Sequence, residues 1–222
     1  MMKGNRMMFF IFMLGTFTVG MAEYVVTGLL TQIASDMKVS ISSAGLLISV
    51  YAVSVALIGP FMRIFTMNVR AKRLLPILVA IFIGSNVVGM LAPNFQVLLL
   101  SRLLSASMHA PFFGVCMSVA AAVAPRGKQP QAIALVQAGL TIAVMIGVPF
   151  GSFLGGFANW RAVFGVMIGL AIITMLGMLK FVPDVSLSTE SNVKNELKVF
   201  KNPHILIVMS IIVFGYSGVF TT

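Results

Sequence analysis

The sequence predicts an all-α integral membrane protein: a six-helix bundle followed by a partial seventh transmembrane helix. Three observations lead there. Hydrophobic residues make up 59% of the 222-residue chain and charged residues only 9%, against about a quarter charged in a soluble domain. That is too little charge to clothe a water-facing surface. The apolar residues fall in runs of about 20, the length that crosses a bilayer. The basic residues gather in alternate loops, the pattern by which membrane proteins orient their spans.

The first span runs roughly from Met7 to Thr31. It is too long for the apolar core of a cleaved signal peptide, and Glu23 interrupts it where a cleavage site needs small neutral residues. The second covers about Ala44 to Met62, with Ser49, Ala52, Ala56 and Gly59 as a small-residue row before Pro60. The third runs from Leu74 to Ala92 and the fourth from Phe95 to Ala124. In the fifth, Gln131 to Phe157, Gly139, Ala143, Gly147, Gly151 and Gly155 recur every four residues. Such a stripe lets another helix backbone approach closely. Pro149 lies within it and should bend the helix by removing a backbone donor. The sixth span is Ala162 to Val182, which closes a bundle over residues 1–182.

Residues 183–203 change character. They hold Asp184, Glu190 and Glu196 among polar neighbours such as Ser188, Asn192 and Asn195, and read as a water-exposed cytoplasmic linker. Asn195 to Phe200 could lie on the membrane surface as a short amphipathic helix. Residues 204–222 read as an incomplete seventh span, its apolar run being Ile205 to Phe220.

The net charge of +10 is explained by topology rather than by nucleic acid. Lys3, Arg6, Arg63, Arg70, Lys72, Arg73, Arg126, Lys128, Lys180, Lys194, Lys198 and Lys201 all fall on one side if six spans alternate. Lys38 and Arg161 fall on the other, and Arg102 lies inside the fourth span. Basic loops stay in the cytoplasm, so the N-terminus is expected there. Cys116 has no second cysteine to pair with, and His109 and His204 lie far apart, so no metal site or cofactor is indicated. Nor is there a nucleophile–base set, a phosphate loop or a carboxylate pair, so the chain does not read as an enzyme.

Chemistry concentrates on charged groups inside the spans. A carboxylate in hydrocarbon is costly and by default marks a path for protons, ions or substrate. Glu23 shares a helix face with Thr16, Gly20 and Thr27, at spacings of seven, three and four. It lies roughly 12 Å from the outer end of its span, and Arg102 roughly 10 Å from the outer end of the fourth. Two opposite charges at one depth invite pairing; the competing reading has Arg102 snorkelling to the surface. Ser105 and His109 follow Arg102 on the same face. His109 suits a proton carrier or a substrate partner, or else a neutral histidine satisfied locally. Gln137 and Thr141 of the fifth span complete a candidate cavity set with Thr16, Gly20, Thr27, Ser105 and His109.

These residues resemble the N-terminal part of a major facilitator superfamily transporter, of the proton-coupled drug and sugar efflux branch, and arabinose-efflux-type permeases in particular. Leu14-Gly15-Thr16-Phe17 with Gly20-Met21-Ala22-Glu23 is similar to that branch's first-helix motif. Arg102, Ser105, His109 and Phe112-Phe113-Gly114-Val115 are similar to its fourth-helix arginine motif. Gly147, Pro149, Gly151 and Gly155 resemble its antiporter motif, and Trp160-Arg161 the start of its sixth helix. The resemblance implies proton coupling through Glu23 and Arg102, a small-molecule substrate, and a bacterial inner membrane. It departs from the branch where Arg63 replaces an Asp after Gly59, where Ala106 and Ala110 stand in place of the usual Gly, and where Pro111 replaces a small residue.

Such transporters have twelve helices in two halves with the substrate between them. The expected function is therefore proton-coupled efflux of a sugar or drug, in a truncated and by itself inactive form whose C-terminal half is missing. The alternative is a non-transporting membrane remnant or assembly module.

Overall fold

The computed structural model describes residues 3–66 and 69–185, together with residues 203, 206, 207, 210 and 211. It separates into two compact units, residues 1–187 and 188–222. The described residues of the second unit are helical, with Ser210 Oγ donating to the Leu206 carbonyl at 2.9 Å. Most of the expected seventh span, and the linker from residue 186 to 202, lie outside the described residues.

The first unit is all-helical among its described residues. Its elements are α1 (Lys3–Tyr24), a 3₁₀ turn (Val25–Leu29), α2 (Leu30–Asp36), α3 (Ile41–Thr66), α4 (Ala71–Met90), α5 (Phe95–Val123), α6 (Gln129–Ile142), a π turn (Ala143–Gly147), α7 (Val148–Phe157) and α8 (Trp160–Phe181). Among the described residues, six stretches of helix are long and apolar enough to cross a membrane, starting at Arg6, Ile41, Ala71, Phe95, Gln129 and Trp160. The links are short and polar, with asparagine caps. Asn94 Oδ1 accepts from the Val97 amide at 3.0 Å, and Asn159 Oδ1 from the Arg161 amide at 2.9 Å. Each answers one of the amides that a helix start leaves unpaired. The turn before α6 uses Gly127 at φ 78°, a left-handed conformation that costs glycine little.

Two spans depart from a regular α-helix. The first winds tightly from Val25 to Leu29, directly after Glu23 and Tyr24. Its sequence explains this: Val25, Val26 and Thr27 are β-branched and Gly28 follows, all weak helix formers. Thr27 Oγ1 donates to the Tyr24 carbonyl at 2.5 Å, three residues back. The fifth span instead widens into a π turn, where the Val148 amide reaches the Ala143 carbonyl five residues back. Pro149 follows and has no amide for Met145, so the ladder is already broken there and an extra residue fits.

The first span is central: α1 packs on α6, α8 and α5, while α3 packs on α5 and α4 on both α5 and α8. The small-residue stripe faces α1 and its continuation. A Cβ on Gly139 would strike the Met13 carbonyl and Thr16; Gly147 faces Phe17 and Met21, Gly151 faces Val25, and Gly155 faces Leu29 and Gln32. Thr16 Oγ1, fully buried, donates to the Val136 carbonyl at 2.6 Å. On the other sides large aromatics fill the core, among them Phe12, Phe82, Phe112 and Phe164. Outward faces stay apolar, with Val53, Leu57 and Phe61 exposed on α3 and Met145, Phe153 and Phe157 on the fifth span. Hydrocarbon tolerates such a surface and water does not.

Candidate functional site

Glu23, Arg102, Ser105 and His109 converge where α1, α3 and α5 meet. The spacing of Arg102, Ser105 and His109 puts them on one face of α5, and that face turns towards α3. The buried face of α3 is Ala44, Leu47, Tyr51 and Ser54, so Tyr51 enters the same space.

Arg102 does not snorkel. It is 1% exposed, and its guanidinium carbon lies 4.2 Å from the centre of the Tyr51 ring. None of its three guanidinium nitrogens has a hydrogen-bond partner among the described residues. A desolvated cation–π contact contributes about 2 kcal/mol, whereas burying a charge costs several. Arg102 is thus held in place without being neutralised.

Glu23 reaches His109 rather than Arg102. Its Oε2 lies 3.8 Å from His109 Nε2, with the carboxylate a quarter exposed. The other ring nitrogen, Nδ1, lies 3.0 Å from Tyr51 Oη. The imidazole stacks on Phe113 with ring centres 4.8 Å apart and planes 11° from parallel. The two opposite charges that the sequence brings to one depth are therefore linked in series, Glu23–His109–Tyr51–Arg102. Tyr51 is the member that sequence reasoning missed. Its spacing from Ala44, Leu47 and Ser54 was the available signal, because it places the phenol on the packed side of the span.

The other candidates are more dispersed. Thr16 and Gly20 face the fifth span, where Gly20 meets Leu140 and Ala143. Gly147, Gly151 and Gly155 line that same contact, with the Pro149 side chain turned outward. Thr27 and Thr141 are exposed. Gln137 Oε1 is buried with no partner among the described residues. No cluster of His, Cys, Asp or Glu able to hold a metal occurs among them either.

A second polar cluster ties three spans at the Asp36 end. Asp36 Oδ2 accepts from Trp160 Nε1 at 3.0 Å and from Arg161 Nη1 at 2.5 Å. Arg161 Nη2 donates to the Ala92 carbonyl at 3.2 Å, and its guanidinium lies 4.2 Å over the Trp160 ring. An open cleft of about 510 Å³ adjoins it, lined by Thr31, Gln32, Ser35 and Asn159.

The sequence profile described as Major Facilitator Superfamily matches residues 12–222. The chain is 45% identical over 215 residues to the MFS-type transporter YfhI of Bacillus subtilis, covering 97% of this chain and 54% of that protein. It is 38% identical to the inner membrane transport protein YdhP of Escherichia coli K12, over 94% of this chain and 54% of that one. It is 34% identical to a "probable sugar efflux transporter" of Helicobacter pylori P12, over 99% and 56%. The chain thus spans about half the length of the curated relatives it matches. Among solved structures, a bacterial homologue of the human lysosomal transporter Spinster superposes with a TM-score of 0.68 at 19% identity, over 86% of this chain and 46% of that one. A peptide transporter, POT, superposes with a TM-score of 0.70 at 12% identity, over 98% and 46%. At such identities the likeness is one of fold.

Proposed function

The chain belongs to the major facilitator superfamily, and we propose that it supplies the first six-helix half of a proton-coupled exporter of small molecules. Export of a sugar-like or drug-like compound fits the "sugar efflux" name of one relative. The basic loops support a cytoplasmic N-terminus in a bacterial inner membrane.

One observation carries the reading: a titratable carboxylate and a buried guanidinium with no hydrogen-bond partner among the described residues sit at opposite ends of one side-chain chain. With Glu23 ionised, the chain holds a negative and a positive end, and their attraction draws α1, α3 and α5 together. When Glu23 takes a proton its charge is lost and the attraction with it. Arg102 is then a buried cation that has lost the charge facing it, a state that favours rearrangement. Proton binding thereby shifts the balance between two arrangements of the helices around the substrate path, by as much as its differential affinity for them.

The test is a chimera of this chain with the remaining half of YfhI, reconstituted in vesicles. With Glu23→Gln, export driven by a proton gradient should stop while substrate exchange across the same vesicles continues. Unchanged proton-driven export would refute the assignment.

A further inference from the structure

Tyr51 makes two contacts at once. Its ring lies under the Arg102 guanidinium at 4.2 Å, and its hydroxyl lies 3.0 Å from His109 Nδ1. A neutral imidazole carries one N–H and one bare nitrogen, and which is which depends on what each nitrogen faces. Two arrangements satisfy the contact: Tyr51 donates to a bare Nδ1, or an Nδ1–H donates to the phenol oxygen.

Two features choose between them. A cation over the ring draws electron density from the phenol, making its O–H a stronger donor and its oxygen a poorer acceptor. On the far side of the imidazole, Nε2 faces Glu23 Oε2 at 3.8 Å, and a carboxylate favours an N–H there. We infer that Tyr51 is a positioning residue: it donates to Nδ1, holds His109 in the Nε2–H form, and so aims an N–H at Glu23. Arg102 then acts on Glu23 through two aromatic rings rather than by direct contact. The charged and titratable groups around the imidazole are Glu23 from α1, Tyr51 from α3 and Arg102 from its own helix; Phe113 covers one ring face.

The consequence for transport rests on the proton-coupling reading above, but the ring state does not, so each can fail separately. The chain has two histidines. The full chain with His204→Gln therefore leaves one imidazole, and ¹⁵N-histidine labelling in lipid nanodiscs reports which nitrogen is protonated. At about pH 8, above the ordinary imidazole value of about 6.5, the resonance of the protonated nitrogen should be that of Nε2. Tyr51→Phe keeps the ring beneath Arg102 and removes only the hydroxyl. It should move the tautomer ratio about fivefold towards Nδ1–H, the equivalent of one ordinary hydrogen bond. Glu23→Gln should move it less. An Nδ1–H form in the parent chain overturns the inference. So does a ratio that Tyr51→Phe leaves unchanged, or one that Glu23→Gln shifts as far.

Discussion

Adding one methyl group at Gly139 should separate the first and fifth spans. A Cβ there would collide with the Met13 carbonyl and with Thr16 Oγ1, and would come within 2.8 Å of the Phe17 amide nitrogen. Two of those three neighbours are backbone atoms of α1 and cannot rotate away. The helices must therefore part, by on the order of 1 Å, and tight packing resists this. Overpacking of this kind costs about 1–3 kcal/mol. The Thr16–Val136 hydrogen bond is stretched as well, for about 1 kcal/mol more. Against this, alanine favours a helix over glycine by up to about 1 kcal/mol. Gly139→Ala should then destabilise the bundle by roughly 2 kcal/mol net. Gly84→Ala is the matched control: the same methyl group meets nothing within 4 Å on α4, so it should stabilise by about 0.5–1 kcal/mol. Reversible unfolding of both variants in mixed detergent micelles, followed by circular dichroism, measures the difference. Equal effects of the two substitutions would refute the close approach of α1 and α6.

Three further outcomes follow from the same structure. Arg102→Met should stop transport by the chimera; it removes a buried cation that has no hydrogen-bond partner among the described residues, and the desolvation it relieves offsets the lost contact with Tyr51 and the lost attraction to Glu23, so stability should stay within about 2 kcal/mol and a larger loss would contradict this. Asp36→Ala leaves the buried Trp160 Nε1 without an acceptor and should cost about 2 kcal/mol. Arg161→Gln, at a side chain one-third exposed, should cost under about 1 kcal/mol, and the reverse order in unfolding experiments would refute the role given to the indole. Arg70 and Asp184 pair at 2.9 Å with side chains 64% and 47% exposed; Arg70→Ala should leave the unfolding midpoint unchanged, since solvent and salt screen such pairs.

Much of this architecture is legible in the sequence, because a bilayer demands long apolar runs with their backbone satisfied internally. The six spans and their order follow from that demand alone. The convergence of Glu23, Arg102, Ser105 and His109 is partly legible too, since helical spacing places three of them on one face. Tyr51 escapes because a tyrosine in an apolar run reads equally well as packing. Spacing also cannot distinguish a cavity wall from a helix contact: the row of Thr16 and Gly20 is compatible with either, and the structure packs both on the fifth span. The Asp36–Trp160–Arg161 cluster joins residues more than 120 positions apart, and nothing local in the sequence signals it. The 3₁₀ turn after Tyr24 had a signal in Val25-Val26-Thr27-Gly28, one that the length of the apolar run obscures.

The π turn in the fifth span solves a problem of phase. A row that recurs every four residues drifts about 40° around an α-helix at each step, because four residues overshoot one turn. From Gly139 to Gly155 the row would drift by about 160° and leave its partner for the opposite side. Yet Gly139, Gly147, Gly151 and Gly155 all meet the first span. Val148 reaching back five residues to Ala143 inserts one residue without advancing the helix, and takes back about 100° of the drift. The remainder is small enough for a crossing angle between two straight helices to absorb. The widened turn thus behaves as a phase correction, keeping a four-residue row on one neighbour along the contact. Shortening the chain by one residue here would remove the widened turn and still leave Gly151 and Gly155 facing Val25 and Leu29, because the residue lost is the one the turn absorbs.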